Sequence, residues 1–171
     1  VKLTPLIQMP TTWTGTADRF GVHLYHGKLT ISDMEQLEIH GRAWHRKNSG
    51  DTVELVIIFP SDARMTNEER VRMGQLIKRW QHRRAASATT ILAEGLSGAM
   101  QRSVLTGLFL LAPPPHPAKV FGSISDAVKW LLPHVQSVCG PETTRAVVQS
   151  AVDEFCDAFQ RRSVTDRPAS S

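Results

Sequence analysis

Apolar residues recur along this chain with two alternating periods, and the switches between them mark out its elements. From Phe20 to Gly27, Phe20, Val22 and Leu24 alternate with Gly21, His23 and Tyr25, the two-residue period of a strand. Met34, Leu37, Gly41 and Trp44 then repeat at helical spacing, and Ser32 with Glu35 three residues later supplies a capping box. Asn48-Ser49-Gly50 ends that helix. Residues 52–59, TVELVIIF, are nearly all β-branched or apolar, which suits a strand covered on both faces, as in a parallel sheet. Thr66 with Glu69 is a second capping box, and the helix it opens has Met73, Leu76, Ile77 and Trp80 as its apolar stripe.

The alternation continues. A third buried strand is expected over 87–95, then a helix over 96–112 capped by Ser97, with Val104, Leu105, Leu108 and Phe109 inward. Pro113-Pro114-Pro115 stops that helix, because proline cannot continue the ladder. A short strand over 118–123 and a helix over 123–135 follow. Pro141 suits the first position of a fifth helix, whose face is Val148, Ala151, Val152, Phe155 and Phe159. Residues 1–16 are polar, proline-containing and weakly patterned, as in a lead-in arm or an edge strand. The expected organisation is therefore 1–16 as arm or edge strand, 17–136 as an α/β domain, 137–163 as a C-terminal helical extension, and 164–171 as a disordered tail. Strands alternating with helices imply an α/β layer structure, here with a four- or five-stranded mixed, largely parallel sheet.

Composition narrows the class. A chain of 171 residues, 41% hydrophobic and 21% charged, has the make-up of one globular domain. The two cysteines, Cys139 and Cys156, lack metal-ligand spacing and read as thiols of a reducing compartment. No metal and no cofactor is expected. The longest apolar run, Val104 to Ala112, is too short to span a membrane, and no signal segment opens the chain, so the expected location is cytoplasmic. A net charge of +4 permits an acidic partner without demanding one.

Two segments carry a family resemblance. Residues 88–131, ATTILAEGLSGAMQRSVLTGLFLLAPPPHPAKVFGSISDAVKWL, combine a strand, a Gly-Leu-Ser turn, a helix ending near LTGL, a short strand and a Ser-initiated helix. Residues 20–34, FGVHLYHGKLTISDM, add an opening strand and a Gly-x-Leu-Thr entry into the first helix. Together they resemble a STAS domain, the fold of bacterial anti-anti-sigma factors, over roughly Phe20 to Val135. Small bacterial domains similar to Sec14-type lipid carriers share much of the pattern. The STAS resemblance implies a module that signals through protein contacts, with a kinase or another STAS-like protein as partner.

In that family the strand before the second helix ends in an Asp-Ser-Ser/Thr-Gly turn whose serine is phosphorylated by the partner kinase. Here the same place reads FPSDARMT, which makes Ser61 and Asp62 the nearest residues by position and Thr66 the nearest to the helix start. A phosphate there would meet the positive end of the helix. The glycine is missing and the loop is longer, and the same residues also read as a turn after Pro60 with Thr66 as a plain N-cap. Ser97 in EGLSGAM approaches the nucleophile-elbow pattern G-x-S-x-G, but Ala99 stands where the second glycine belongs. Ser97 is read as a cap and partner-contact residue, and a serine hydrolase ranks last among the functions considered.

The seven histidines form no ligand pattern: His40 and His45 are five apart, and each histidine reads as a surface or cap residue. Arg72, Arg79 and Arg83 fall in a narrow arc of the second helix, a solvated basic ridge suited to an acidic protein surface. No nucleic-acid-binding motif accompanies it, and nucleic acid is not an expected partner. Phe155 and Phe159, flanked by acids, suit either packing within the domain or contact with a second copy through the last helix. The reading that emerges is a non-enzymatic regulatory or scaffolding module of STAS type. Its rival is a Sec14-like lipid or small-ligand binder, with Val104 to Ala112 lining the pocket.

Overall fold

A computed structural model describes residues 1–61, 65–111 and 113–165. Strands β1 (Thr4–Gln8), β2 (Thr12–Ala17) and β3 (Phe20–Tyr25) form an antiparallel meander. The chain then alternates α1 (Ile31–Lys47), β4 (Thr52–Ile58), α2 (Asn67–Trp80), β5 (Arg84–Ile91), α3 (Gly95–Leu111) and β6 (Ala118–Phe121), and closes with α4 (Ile124–Cys139) and α5 (Arg145–Thr165). The strands lie side by side in chain order, and β3 through β6 are parallel. This is the expected mixed, largely parallel sheet with a C-terminal helix, but it has six strands where four or five were expected.

The extra strand comes from residues 1–16, which are sheet and not an arm. Thr12, Trp13, Thr14 and Gly15 are all buried, so the threonines that made the stretch look polar lie inside. Pro5 sits on the edge strand, where a missing N–H does least harm. Gly15 is needed for packing: a Cβ there would lie 2.8 Å from the Phe155 ring.

Crossovers that advance one strand at a time in the same direction put α1, α2 and α3 on one face of the sheet. On the other face α4 packs across β3 to β6, with α5 beside it. That second face is apolar throughout. Val22, Leu24, Val53, Leu55, Ile57 and Ala88 from the strands meet Val128, Leu131 and Val135 of α4. Phe155 and Phe159 of α5 complete it, stacking near Trp13 and Phe59. The apolar stripe of the last helix is thus spent inside the domain, not held out to a second copy.

Local boundaries moved in three places. The first capping box is Thr30 with Asp33, not Ser32 with Glu35, so α1 starts earlier. The box at Thr66 and Glu69 forms as expected. The fourth helix runs past Pro133 to Cys139; Pro133 is exposed, so the Lys129 carbonyl it leaves unbonded faces water. Gly140, at φ 110°, then ends it, and Pro141 lies in the following turn. Thr144 opens α5 instead, its Oγ1 accepting from the Val147 N–H and its carbonyl from the Val148 N–H. Among the described residues, no helix is long and apolar enough to cross a membrane.

Candidate functional site

The first place that gathers chemistry is the carboxyl end of the parallel strands. Because β4 and β5 run parallel, the loops after Ile58 and Ile91 leave from the same end of the sheet. That topology brings Ser61, Thr66 and Ser97 to one rim; Asp62 lies outside the described residues. Ser61 is exposed. Thr66 is committed to its cap: its Oγ1 accepts from the Glu69 N–H at 3.2 Å, and its own N–H donates to Glu69 Oε2 at 2.7 Å. That backbone donor holds the Glu69 carboxyl below its ordinary range, and Lys28, 3.0 Å away, adds to the effect. Ser97 is not the N-cap expected of it. The helix begins at Gly95, so Ser97 sits in the first turn, exposed, with its Oγ accepting from Gln101 Nε2 at 3.3 Å.

The second place is a row of polar side chains buried on the sheet face beneath α1 and α2. His23 of β3 pairs through Nδ1 with Thr14 Oγ1 at 3.1 Å, and its Nε2 stands 3.5 Å from Glu54 Oε2. Glu54 accepts from Arg84 at 2.6 Å and from Thr52 Oγ1 at 3.3 Å. Burial pushes the Glu54 carboxyl up, but Arg84 and His23 outweigh burial and hold it below the usual carboxylate range. Burial, and after it the Glu54 charge, push the Tyr25 phenol up. His45 lies between the Trp44 and Trp80 rings, buried and held neutral by desolvation. Gly41 lets Trp80 in: a Cβ there would lie 2.0 Å from the ring.

Close by, Ser87 Oγ lies 2.9 Å from His116 Nε2, while His116 Nδ1 lies 3.0 Å from the Gln81 carbonyl. Since a carbonyl only accepts, Nδ1 carries the proton and Nε2 accepts from the serine. Burial lowers the His116 pKa, and the Arg84 charge adds to this. The pair polarises the Ser87 hydroxyl and pins the proline-rich loop to β5. His23, His45 and His116 are therefore interior residues, not the surface or cap residues expected. The sequence signal that could have found this row is Glu54, a single acid inside a run that is otherwise apolar or β-branched.

The third place is the outer surface of the helical layer. Of the three arginines expected on a solvated ridge, Arg72 and Arg79 instead reach across to Glu38 of α1, Arg72 at 2.7 Å, and Arg42 of α1 joins them. Arg83 leaves the group and donates to the Asn48 carbonyl at 3.0 Å. These are contacts between elements, so the ridge is partly structural.

Along α3 the apolar residues face the wrong way for a core. Leu96 is 86% and Leu110 79% exposed, and Met100 and Val104 are also open to solvent. At about 100° per residue, the four fall within an arc of roughly 120°. Val104 is therefore outward, not inward; Leu105 and Phe109 are half-buried, and the Leu108 side chain lies outside the described residues. Arg102, the only charged residue of α3, is turned inward and caps the carbonyls of Ile91 and Ala93. The stripe it leaves outside is uncharged. A cleft of about 810 Å³ lies elsewhere, between β1, the end of α1 and the α4–α5 turn, lined by Trp44, Lys47 and Cys139 among others.

The structure is similar to the crystal structure of an uncharacterized protein of the DUF3478 family with a SpoIIAA-like fold, from Shewanella loihica PV-4. The TM-score is 0.55 at 20% sequence identity, covering 71% of this chain and 92% of that one. The fold is thus SpoIIAA-like, the STAS-like architecture that residues 20–34 and 88–131 resemble. No protein-family model matches the chain, and no curated protein matches its sequence.

Proposed function

We propose that this chain is a non-enzymatic regulatory or scaffolding module of STAS type, working through protein–protein contacts made by the outer face of α3. The observation that carries the reading is the uncharged stripe of Leu96, Met100, Val104 and Leu110, exposed on a helix whose one charge is turned inward. Exposed apolar surface of this extent on one helix face is costly unless a partner covers it. The rim beside it supplies a means of control. Ser61 is exposed at the same sheet end as the start of α3, and a phosphate added there by a partner kinase would place charge next to the contact face. Thr66 is the weaker acceptor, since modifying it would break the cap with Glu69. The setting that suits such a module is bacterial signalling.

The Sec14-like reading would need Val104 to Ala112 to line an interior pocket, and the outward turn of Val104 and Leu110 favours an external contact instead. The test is a variant carrying Leu96→Gln, Met100→Gln and Leu110→Gln. A partner is first captured by wild-type protein, identified, purified and recombined. The expected result is a stoichiometric complex that the variant fails to form while unfolding at the same temperature as wild type. Undiminished binding by the folded variant would overturn the reading. So would binding of phosphatidylcholine vesicles through the stripe in place of a protein.

A further inference from the structure

Helices α1 and α2 both connect parallel strands, so they run in the same direction. Their first turns carry Asp33, Glu68 and Glu69 and their last turns Arg46, Lys47, Lys78 and Arg79, while Arg70 and Arg72 already stand in the first half of α2. Across the contact between α1 and α2, three guanidinium groups converge on one acid. Arg42, Arg72 and Arg79 all donate to Glu38, and among the described residues Glu38 is their ion-pair partner. Three positive charges less one negative leave a surplus of two on the cluster.

We propose that this cluster is a binding site for a phosphate-type oxyanion, with Arg42, Arg72 and Arg79 as the anion-contacting residues and Glu38 as the group that positions them. Three features point to it. Glu38 is nearly buried and orders side chains that would otherwise move freely, so the donors are set in place before a ligand arrives. A carboxylate can accept from three guanidinium groups but uses only a fraction of their fifteen or so N–H donors, and the planar forks that remain match the oxygens of a phosphate. The side chains of Arg42, Arg72 and Arg79 are 56%, 28% and 44% exposed, so an anion can reach all three from solvent.

An ordinary interhelical salt bridge does not need the third arginine. Arg72 and Glu38 already join α2 to α1, whereas Arg42 lies on the same helix as Glu38 and links no second element. Its charge adds repulsion to the cluster and is relieved by an anion on the solvent side. The site takes the oxyanion whether it is a free phosphate compound or a phosphate displayed on a partner, and it stands on observations separate from those of α3.

Pyrophosphate and inorganic phosphate are the probes, titrated at constant ionic strength while the arginine Nε–H signals are followed by NMR. The expected result is saturable shifts at Arg42, Arg72 and Arg79, stronger for pyrophosphate. Arg42→Gln should weaken pyrophosphate at least about threefold, because it removes one charge at contact distance. Lys129→Gln, which changes net charge equally on the far face of the sheet, should leave affinity unchanged. Glu38→Gln keeps an acceptor oxygen that can still position the guanidinium groups but removes the opposing charge, so it should tighten binding, and this sign separates a ligand site from a purely structural cluster. Equal weakening by Arg42→Gln and Lys129→Gln would overturn the proposal. Shifts that never saturate, matching those of added chloride, would do the same. If Glu38→Gln does not fold, the Arg42 and Lys129 pair decides alone. A phosphorylated peptide competing with pyrophosphate would identify the displayed form as the source, and failure to compete would identify the free one.

Discussion

The two faces of the sheet are built on opposite terms. Beneath α4 and α5 the strands present Val22, Leu24, Val53, Leu55, Ile57 and Ala88, and the charge that meets this face, Arg162 of α5, lies over the Trp13 ring. Beneath α1 and α2, strands β2 to β4 present Thr14, His23 and Glu54, and a register shift at the start of β5 brings Arg84 to the same face. The difference separates stability from chemistry. The apolar face holds the fold by dry burial, and so it tolerates no change of shape. The polar face adds a small number of matched charges to a second apolar cluster of Ile7, Leu29, Met34, Leu37 and Leu76, and the layer above it carries the arginine cluster and the bare stripe of α3.

The contrast is sharpest where a single partner is removed. Glu54→Ala strands the Arg84 charge in the interior and should cost about 3–5 kcal/mol, whereas replacing both Glu54 and Arg84 with apolar residues of similar volume should be near neutral. Chemical denaturation of the two variants measures this. A double variant as unstable as Glu54→Ala would show the row to be held by packing and not by charge. On the dry face Leu131→Ala should cost about 2–5 kcal/mol through the cavity it leaves.

Acid should act on the polar face alone. Glu54 is held below its unfolded pKa, so its contribution is present above the ordinary carboxylate range and is lost as pH falls through the depressed value. His45 and His116 are also lowered, so the unfolded chain binds protons first and stability falls as pH drops below about 6.5. Melting temperature measured from pH 8 downward should therefore decline in two stages. The first stage should shrink in a His45→Phe, His116→Asn double variant, and an unchanged first stage would count against the buried neutral histidines.

The smallest effect belongs to the stripe. Leu96→Gln or Leu110→Gln should alter stability by no more than about 0.5 kcal/mol, because these side chains bury little in the free protein. Ser61→Glu should likewise leave the fold untouched and change only partner affinity.

Much of this was legible in the sequence, for a definite reason. Strand β3 announces itself through a two-residue period, β4 and β5 through runs of β-branched and apolar residues, and the helices through a 3.6-residue period, with caps such as Thr66 and Glu69 fixing starts. The STAS resemblance agreed with that order. What stayed hidden was pairing across elements. Glu38 sits one residue from Leu37, and nothing in its spacing tells that Arg72 and Arg79 will reach it from another helix. Arg84 opens a strand thirty residues after Glu54, and Thr12 and Thr14 looked solvated because threonine fills strand interiors as readily as surfaces. Val104 misled in the other direction. Apolar periodicity marks a covered face without telling what covers it, and on α3 that face is open.

The most direct test places a photo-crosslinking amino acid at Met100 on α3, and separately at Lys129 on α4, in cells of the protein's source. The expected result is a discrete protein adduct from position 100 and none from 129, abolished when Leu96 and Leu110 are both glutamine. Adducts of equal yield from both faces, or lipid alone at position 100, would contradict a protein-contact module built on α3.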